Sequence, residues 1–210
     1  MTFEKMDNIR EEARCILDEL FETYSSFEDF VFSGGTKDCW NNFKLDVHGC
    51  VSSITAKNGA FRGVIIDDDF DWVIKFDFID ECETGCYNEV INYGFAVENN
   101  VSEYFAPCFF GGNFHEVPFY LMKRMCIDEN EISFDAMSDL YNSDERYANY
   151  DGEMYAEDAE IVINIFGKYY NYKNVYKLIH FCEDYHINDL HEGNIGYHCG
   201  MPIIVDYACY

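Results

Sequence analysis

The first 24 residues place apolar and charged side chains with the period of an α-helix. Apolar residues recur at intervals of three and four from Phe3 to Tyr24, and acidic or basic residues lie between them. This pattern predicts a long amphipathic N-terminal helix. Thr2 could cap the helix, because its hydroxyl can accept a hydrogen bond from an N–H of the first turn. The following segment, 33–42, contains two glycines and is predicted to be a loop.

From Phe43 to Phe78 the pattern changes to short runs typical of β-strands. The runs FKLDVHGCVSSIT, AFRGVIID and DWVIKFDF are separated by AKNG and DDDF, which predicts an antiparallel meander. Residues 84–97 return to helical spacing. Two further apolar runs, YFAPCFF and VPFYLMKRM, are joined through GGN and predict another pair of strands.

The second half of the chain is predicted to be mainly helical. Apolar positions at helical spacing mark one helix around 162–169 and another around 175–182. The C-terminal segment predicts a loop, a turn at HCGMP and a final strand, IIVDY. A sheet-rich first half and a helix-rich second half indicate an α+β protein.

The net charge of the chain excludes some classes of binding partner and favours others. The chain of 210 residues has 14 Lys and Arg against 40 Asp and Glu, for a net charge of -26. Such a protein repels phosphate backbones and anionic membranes, so direct nucleic-acid or membrane binding is not expected, whereas a basic protein partner is favoured. The stretch 126–160 alone has twelve acidic residues, which suits either a solvated insertion or a docking surface.

The cysteines and the N-terminus predict a cytoplasmic protein. The ten cysteines form no CxxC pair and lack the dense spacing of a disulfide scaffold, so they are expected to be reduced thiols. The first residues carry acids where a signal peptide needs a basic end and an apolar run. No apolar stretch approaches the length of about 18 residues that a membrane span requires.

A single lysine interrupts the apolar alternation of one predicted strand. Lys75 lies within DWVIKFDF, where its ammonium group would face a cleft or be buried, and burial would require a partner. Glu89 lies fourteen residues on, midway along the next predicted helix, from which its carboxylate could reach back. Each residue taken alone is more simply read as a surface residue.

The C-terminal segment gathers three oxygen-bearing side chains. Asp189 and Asn194 lie five residues apart in a glycine-containing loop, and Asp206 ends the last strand. Carboxylate and carboxamide oxygens suit Mg²⁺, which keeps several waters and takes further oxygens from phosphates. An additional carboxylate could accept the proton of an attacking hydroxyl. Together these residues predict a phosphoryl-transfer site.

The order of these motifs resembles that of the protein-kinase-like superfamily. DLHEGNIG is similar to the Asp-Leu-His-x-Gly-Asn loop of its aminoglycoside-phosphotransferase-like and choline-kinase-like branch. VIK at 73–75, the helix glutamate at 89, LMKRM at 121–125 and VDYA in the place of Asp-Phe-Gly follow the same order. The resemblance implies a bilobal kinase-like fold with an antiparallel N-lobe sheet and a reduced helical C-lobe.

The resemblance also implies the cofactors ATP and Mg²⁺ and a role for each matching residue. Lys75 would hold the α and β phosphates of ATP, and Glu89 would orient Lys75. Asp189 would be the catalytic base, and His191 would approach the transferred phosphate. The residues that would hold magnesium are Asn194 and Asp206.

The remaining ATP contacts implied by the resemblance lie around the predicted sheet. Gly59 fits the last glycine of the phosphate-covering loop, and Phe61 would lie over the adenine. The backbone of Leu121, Met122 and Lys123 would face the adenine edge.

The resemblance sets the expected domain limits. Residues 1–42 would form an N-terminal helical extension, 43–125 the N-lobe and hinge, and 126–210 the C-lobe. The chain ends four residues after Asp206, so the C-lobe is expected to be shortened at its C-terminus. Small size and strong acidity would suit a phage or mobile-element product.

Two functions of different classes follow. The first is an ATP- and Mg²⁺-dependent phosphotransferase acting on a hydroxyl group of an unknown protein or small molecule. The alternative is a non-enzymatic binder of a basic partner, either a catalytically inactive pseudokinase or an acidic inhibitor that presents carboxylates as DNA presents phosphates. A zinc site is a weaker hypothesis, because its candidates match no common finger spacing; they are Cys182, His186, His191, His198 and Cys199.

Overall fold

In the computed structural model the chain forms two compact units, and the first of the three boundaries between them falls within a helix, between Val90 and Ile91. The first unit contains residues 1–90 and 108–124, and the second contains 91–107 and 125–210. The residues that the structure describes are 2–48, 53–59, 61–81, 85–125, 140–147, 152, 154, 156–188 and 190–208. None of the helices within these ranges has the combination of length and apolar character that crossing a membrane requires. The predicted division at residues 42 and 125 stays a prediction.

The first unit begins with three helices. Their bounds are α1 Phe3–Thr23, α2 Ser25–Phe32 and α3 Lys37–His48. The predicted cap of α1 is present, because the Thr2 hydroxyl accepts a hydrogen bond from the Lys5 N–H at 3.4 Å. The predicted strand from Phe43 to His48 is wrong, as is the loop from residue 37. Trp40, Phe43 and Val47 are all buried, and their spacing is that of a helix.

A five-stranded antiparallel sheet completes the first unit. Its strands are β1 Ile54–Asn58, β2 Arg62–Asp67, β3 Trp72–Asp77, β4 Cys108–Phe114 and β5 Val117–Lys123. Their order in the sheet is β1-β2-β3-β5-β4. The protein is therefore α+β, as predicted. The turn between β4 and β5 falls at His115 and Glu116, both with positive φ, and the predicted turn residues GGN lie inside β4.

Aromatic side chains form the core between the helices and the sheet. The Trp40 ring meets Phe30 edge-on with centroids 4.9 Å apart, and it lies 5.8 Å from the Phe76 ring of β3. The Trp40 indole N–H donates to the Lys57 carbonyl at 3.1 Å, so its polar atom is satisfied inside the core. Trp40 thus connects α3 to both β1 and β3.

Gly63 provides the space that Trp40 occupies against β2. A Cβ atom added at Gly63 would overlap the Trp40 indole, whereas one added at Gly59 would meet nothing within 4 Å. We expect Gly63→Ala to lower the free energy of unfolding by about 3 kcal/mol, because the fully buried ring has no room to move. Urea denaturation checks this. Gly59→Ala is the matched control and should change stability little; equal stability of the two variants would contradict the packing.

The second unit contains helices and a two-stranded hairpin. The helix predicted at 84–97 is confirmed as α4, Gly85–Glu98, which crosses the division between the units, and both later helices are confirmed as well. The elements that follow are α5 Leu140–Ser143, α6 Ala156–Phe166, α7 Tyr172–Asp184, β6 Ile195–His198 and β7 Met201–Ile204.

Hydrogen bonds from backbone and side-chain groups anchor the C-terminal hairpin and the residues after it within the second unit. The Ala106 N–H donates to the Ile204 carbonyl at 2.9 Å, and the Tyr207 hydroxyl donates to the Ala106 carbonyl. The Asn92 side-chain amide donates to the Tyr207 carbonyl at 2.8 Å. Asp206 follows β7, and the residues near it on either side, Ile204 and Tyr207, are both hydrogen-bonded to other parts of the second unit.

Candidate functional site

Lys75 and Glu89 form a buried ion pair in the first unit. The Lys75 Nζ donates to both Glu89 carboxylate oxygens at 2.8 Å, and Glu89 has no exposed surface. Alternation along β3 directs Trp72, Ile74 and Phe76 to the aromatic core and Lys75 to the opposite face. The pairing expected from the sequence is therefore present.

Asp77 fixes the start of α4 beside this pair. Its Oδ1 atom accepts a hydrogen bond from the Cys86 N–H at 2.8 Å, in the first turn of the helix. Asp77 lies two residues after Lys75 and so on the same face of β3. Strand β3 thereby supplies two partners for α4. Asp77 binds its first turn, and Lys75 binds Glu89 one turn later.

Lys75 is protonated at neutral pH. Burial is the largest single effect and acts to lower the pKa of the Lys75 ammonium. The neighbouring Glu89 carboxylate, with smaller contributions from Cys86 and Cys108, raises the pKa, and it lies above its ordinary value. Burial, assisted by the Glu89 charge, raises the pKa of the Cys86 and Cys108 thiols. These two cysteines therefore remain neutral thiols and are poor nucleophiles.

Arg62 is a third charged member of this cluster that the sequence analysis missed. The Arg62 Nη1 donates to Oε1 of Glu89 at 2.8 Å, and Arg62 is only 6% exposed. In the register of β2 and β3, Arg62 lies opposite Asp77 and Val64 lies opposite Lys75, so Arg62 and Lys75 share one face. The sequence signal was a second basic residue inside an apolar strand run.

The β1–β2 turn carries the two residues predicted to cover the nucleotide. The Gly59 N–H donates to the Arg62 carbonyl at 3.0 Å, which closes the turn. Phe61 is half-buried, and its carbonyl accepts from the Phe78 N–H at 3.0 Å. Both residues thus lie at the end of the sheet where β2 begins, and their ATP contacts stay predictions.

Leu121, Met122 and Lys123 form the last part of β5. Leu121 lies opposite residues of both β3 and β4, and so does Met122, so their backbone is at the centre of the sheet and not at a free edge. The Met122 sulfur lies 3.4 Å from the Lys75 Nζ. Lys123 pairs with Asp71 at 2.8 Å. An adenine contact by this backbone stays a prediction.

In the second unit, the structure brings the segments of Asn194 and Asp206 side by side. Asn194 ends a short 3₁₀ turn, and its carbonyl accepts a hydrogen bond from the Val205 N–H at 2.8 Å. Asp206 is the next residue after Val205, and both predicted magnesium ligands are half-buried. The two side chains that supply carboxylate and carboxamide oxygens therefore belong to one hydrogen-bonded pair of segments.

Asp189, the predicted catalytic base, lies outside the described residues. His191 is exposed, and its Nδ1 accepts a hydrogen bond from the Gly193 N–H at 3.0 Å. The Leu190 N–H donates to the buried Asp158 carboxylate at 2.9 Å, which anchors this loop to α6. Asp158 was missed by the sequence analysis because it belongs to the acidic stretch, where it looked like one surface acid among many.

The donors of the second unit fit Mg²⁺ better than zinc. One carboxylate and one carboxamide oxygen suit a hard cation that retains waters. Among the described residues, no group of three His, Cys, Asp or Glu side chains is arranged to hold a metal ion. All five zinc candidates are described residues, so the zinc hypothesis has no support. The predicted magnesium site is not tested in this way, because Asp189 lies outside the described residues and Asn194 is not one of these four residue types.

Comparison with models of known protein families finds no match for the chain, and comparison with curated proteins also finds none. The chemistry of the site residues is therefore the basis for assigning a function.

Proposed function

We propose that the protein is a kinase-like phosphotransferase that uses ATP and Mg²⁺ to phosphorylate a hydroxyl group of a protein or small molecule. The observation that carries the proposal is the buried pair of Lys75 and Glu89. In protein kinases a lysine of the third strand contacts the nucleotide phosphates and pairs with a glutamate of a helix. Here the lysine also lies on the third strand, and the glutamate lies on the helix that follows it.

The pair has the charge and geometry to recognise a phosphate. A buried, protonated ammonium attracts an anion more strongly than an exposed one, because the surrounding dielectric constant is low. Glu89 keeps Lys75 charged and fixes its direction. The Lys75 ammonium also provides a cation within a chain of net charge -26, which would otherwise repel ATP.

The second unit would supply the metal ligands and the base. Asn194 and Asp206 would hold Mg²⁺, which neutralises phosphate charge when it is bound. Asp189 would accept the proton of the acceptor hydroxyl, and His191 would lie near the transferred phosphate. A bilobal kinase-like arrangement of the two units is part of this proposal.

Binding of magnesium-ATP is the first test. At a ligand concentration 100 times the Kd, we expect stabilisation of about 2.7 kcal/mol, which raises the Tm by about 5–10 °C. Asp206→Ala should abolish this shift, because the metal loses its carboxylate ligand. Asp184→Ala removes one exposed carboxylate from the same unit and should retain the shift. Thermal unfolding of the three proteins with and without magnesium-ATP measures the effect.

A wild-type protein whose Tm does not respond to magnesium-ATP would contradict the proposal. That result would favour the second candidate, a non-enzymatic binder of a basic protein, which the net charge of -26 supports. Such a complex would weaken steeply as salt is added, because counterions screen the attraction between the charges.

A further inference from the structure

Two cations share the buried carboxylate of Glu89. Its Oε1 atom accepts hydrogen bonds from the Arg62 Nη1 and the Lys75 Nζ, each at 2.8 Å, and its Oε2 atom accepts a second bond from Lys75. Arg62 and Lys75 are each 6% exposed, and Glu89 is 0% exposed. A carboxylate in this setting cannot turn to water, so its stability depends on these protein partners.

The Lys75 ammonium has no uncommitted hydrogen in this arrangement. It carries three hydrogens, and it contacts the two Glu89 oxygens and the Met122 sulfur. A thioether sulfur is a weak acceptor, so a phosphate oxygen can displace it. Any further turn of the amine towards a phosphate must weaken a bond to Glu89.

We propose that Arg62 is a positioning residue that holds the Glu89 carboxylate, so that Lys75 can turn towards a phosphate without leaving a buried carboxylate unpaired. This inference rests on the proposed function, because the phosphate is that of ATP. It names a second cation of the site, supplied by β2, in addition to the lysine of β3.

The chemistry and position of Arg62 suit this role. A guanidinium group remains charged at every physiological pH, and its planar donors hold a carboxylate in a defined orientation. Arg62 is the first residue of β2, and its carbonyl closes the turn to Gly59. The residue that holds Glu89 is therefore attached directly to the turn that is proposed to cover the phosphates, a turn with a single glycine.

A double-mutant cycle tests the sharing of Glu89 without any nucleotide. Arg62→Met and Lys75→Met each remove one of these two cations from the carboxylate, whereas the double variant removes both. We expect the loss of Tm in the double variant to exceed the sum of the single losses by at least about 5 °C. In a Glu89→Gln background this excess loss should disappear, because the double variant then leaves no carboxylate charge at position 89.

Nucleotide binding tests the positioning role. Arg62→Met should raise the Kd for magnesium-ATP about tenfold, because Glu89 then holds Lys75 alone and releases it less readily. Arg62→Lys should restore most of the affinity, since it returns a positive charge to the cluster. Lys37→Met is the control, because it removes an ion-paired lysine of the same unit, the partner of Glu81, that has no role in the proposed site. Lys75→Met should lose the nucleotide response completely.

The outcomes separate this inference from the proposed function. The role of Arg62 would be overturned, even if ATP binds, by either of two results. One is additive losses of Tm when Glu89 is present, and the other is an unchanged Kd for magnesium-ATP in Arg62→Met. Absence of ATP binding to the wild type would overturn the phosphotransferase, and a non-additive cycle would then still establish the shared carboxylate. If the double variant does not fold, adding Glu89→Gln should restore folding, and failure to restore it also contradicts the inference.

Discussion

Replacement of Glu89 by alanine is expected to lower the free energy of unfolding by about 3–5 kcal/mol. Arg62 and Lys75 would both lose their shared carboxylate, and two like charges would then face each other with almost no access to water. In a chain of this size the Tm should fall by about 6–20 °C. Urea and thermal denaturation at neutral pH measure the change.

Two variants of the same helix serve as controls for Glu89→Ala. Glu98→Ala removes an exposed acid from α4 and should change the free energy of unfolding little. Glu89→Gln preserves side-chain size and an acceptor oxygen, so its loss should be smaller than that of alanine. A Glu89→Ala protein as stable as the wild type would show that the ion pair does not hold α4 on the sheet.

Asp189→Ala is expected to reduce phosphate transfer by about 10²–10⁴-fold while the Tm shift with magnesium-ATP remains. A general base accelerates the attack of the acceptor hydroxyl and contributes this range of rate. Transfer of labelled phosphate from ATP to the protein itself or to proteins of a cell lysate measures the activity. Asp184→Ala, which removes an exposed acid five residues earlier, should keep full transfer.

Retention of transfer in Asp189→Ala would contradict the assignment of the base. A wild-type protein that binds magnesium-ATP without transferring phosphate would instead be a pseudokinase. These two results differ from each other and from a failure to bind nucleotide, so each step of the proposed activity is tested separately.

Local pattern was sufficient to predict several elements. The spacing of apolar residues predicted α1 and its Thr2 cap, the helix that follows β3, and the two later helices. The same reasoning failed at α3, where the run from Phe43 looked like a strand. Trp40 precedes that run and lies in the predicted loop, so the helical spacing of Trp40, Phe43 and Val47 is divided between two predicted elements.

The candidate site was predicted to the extent that a residue conflicted with its local pattern. Lys75 interrupts an apolar strand, and the need of a buried ammonium for a carboxylate pointed to Glu89 on the next helix. Arg62 has the same character, but its contact with Glu89 depends on the register of β2 against β3. Asp158 reaches Leu190 across 32 residues of sequence, and no periodicity identifies such a partner.

By itself, the sequence determined the α+β class, the strong negative charge and the presence of a lysine that required a buried partner. These properties depend on residue type and on the spacing of near neighbours, and both can be read directly from the sequence. Tertiary structure decided that Glu89 pairs with Arg62 as well as with Lys75, and that Asn194 and Val205 are joined by a backbone hydrogen bond. These residues are distant in sequence, and strand register and loop closure bring them together. Both depend on the packing of a whole unit and not on near neighbours in the sequence.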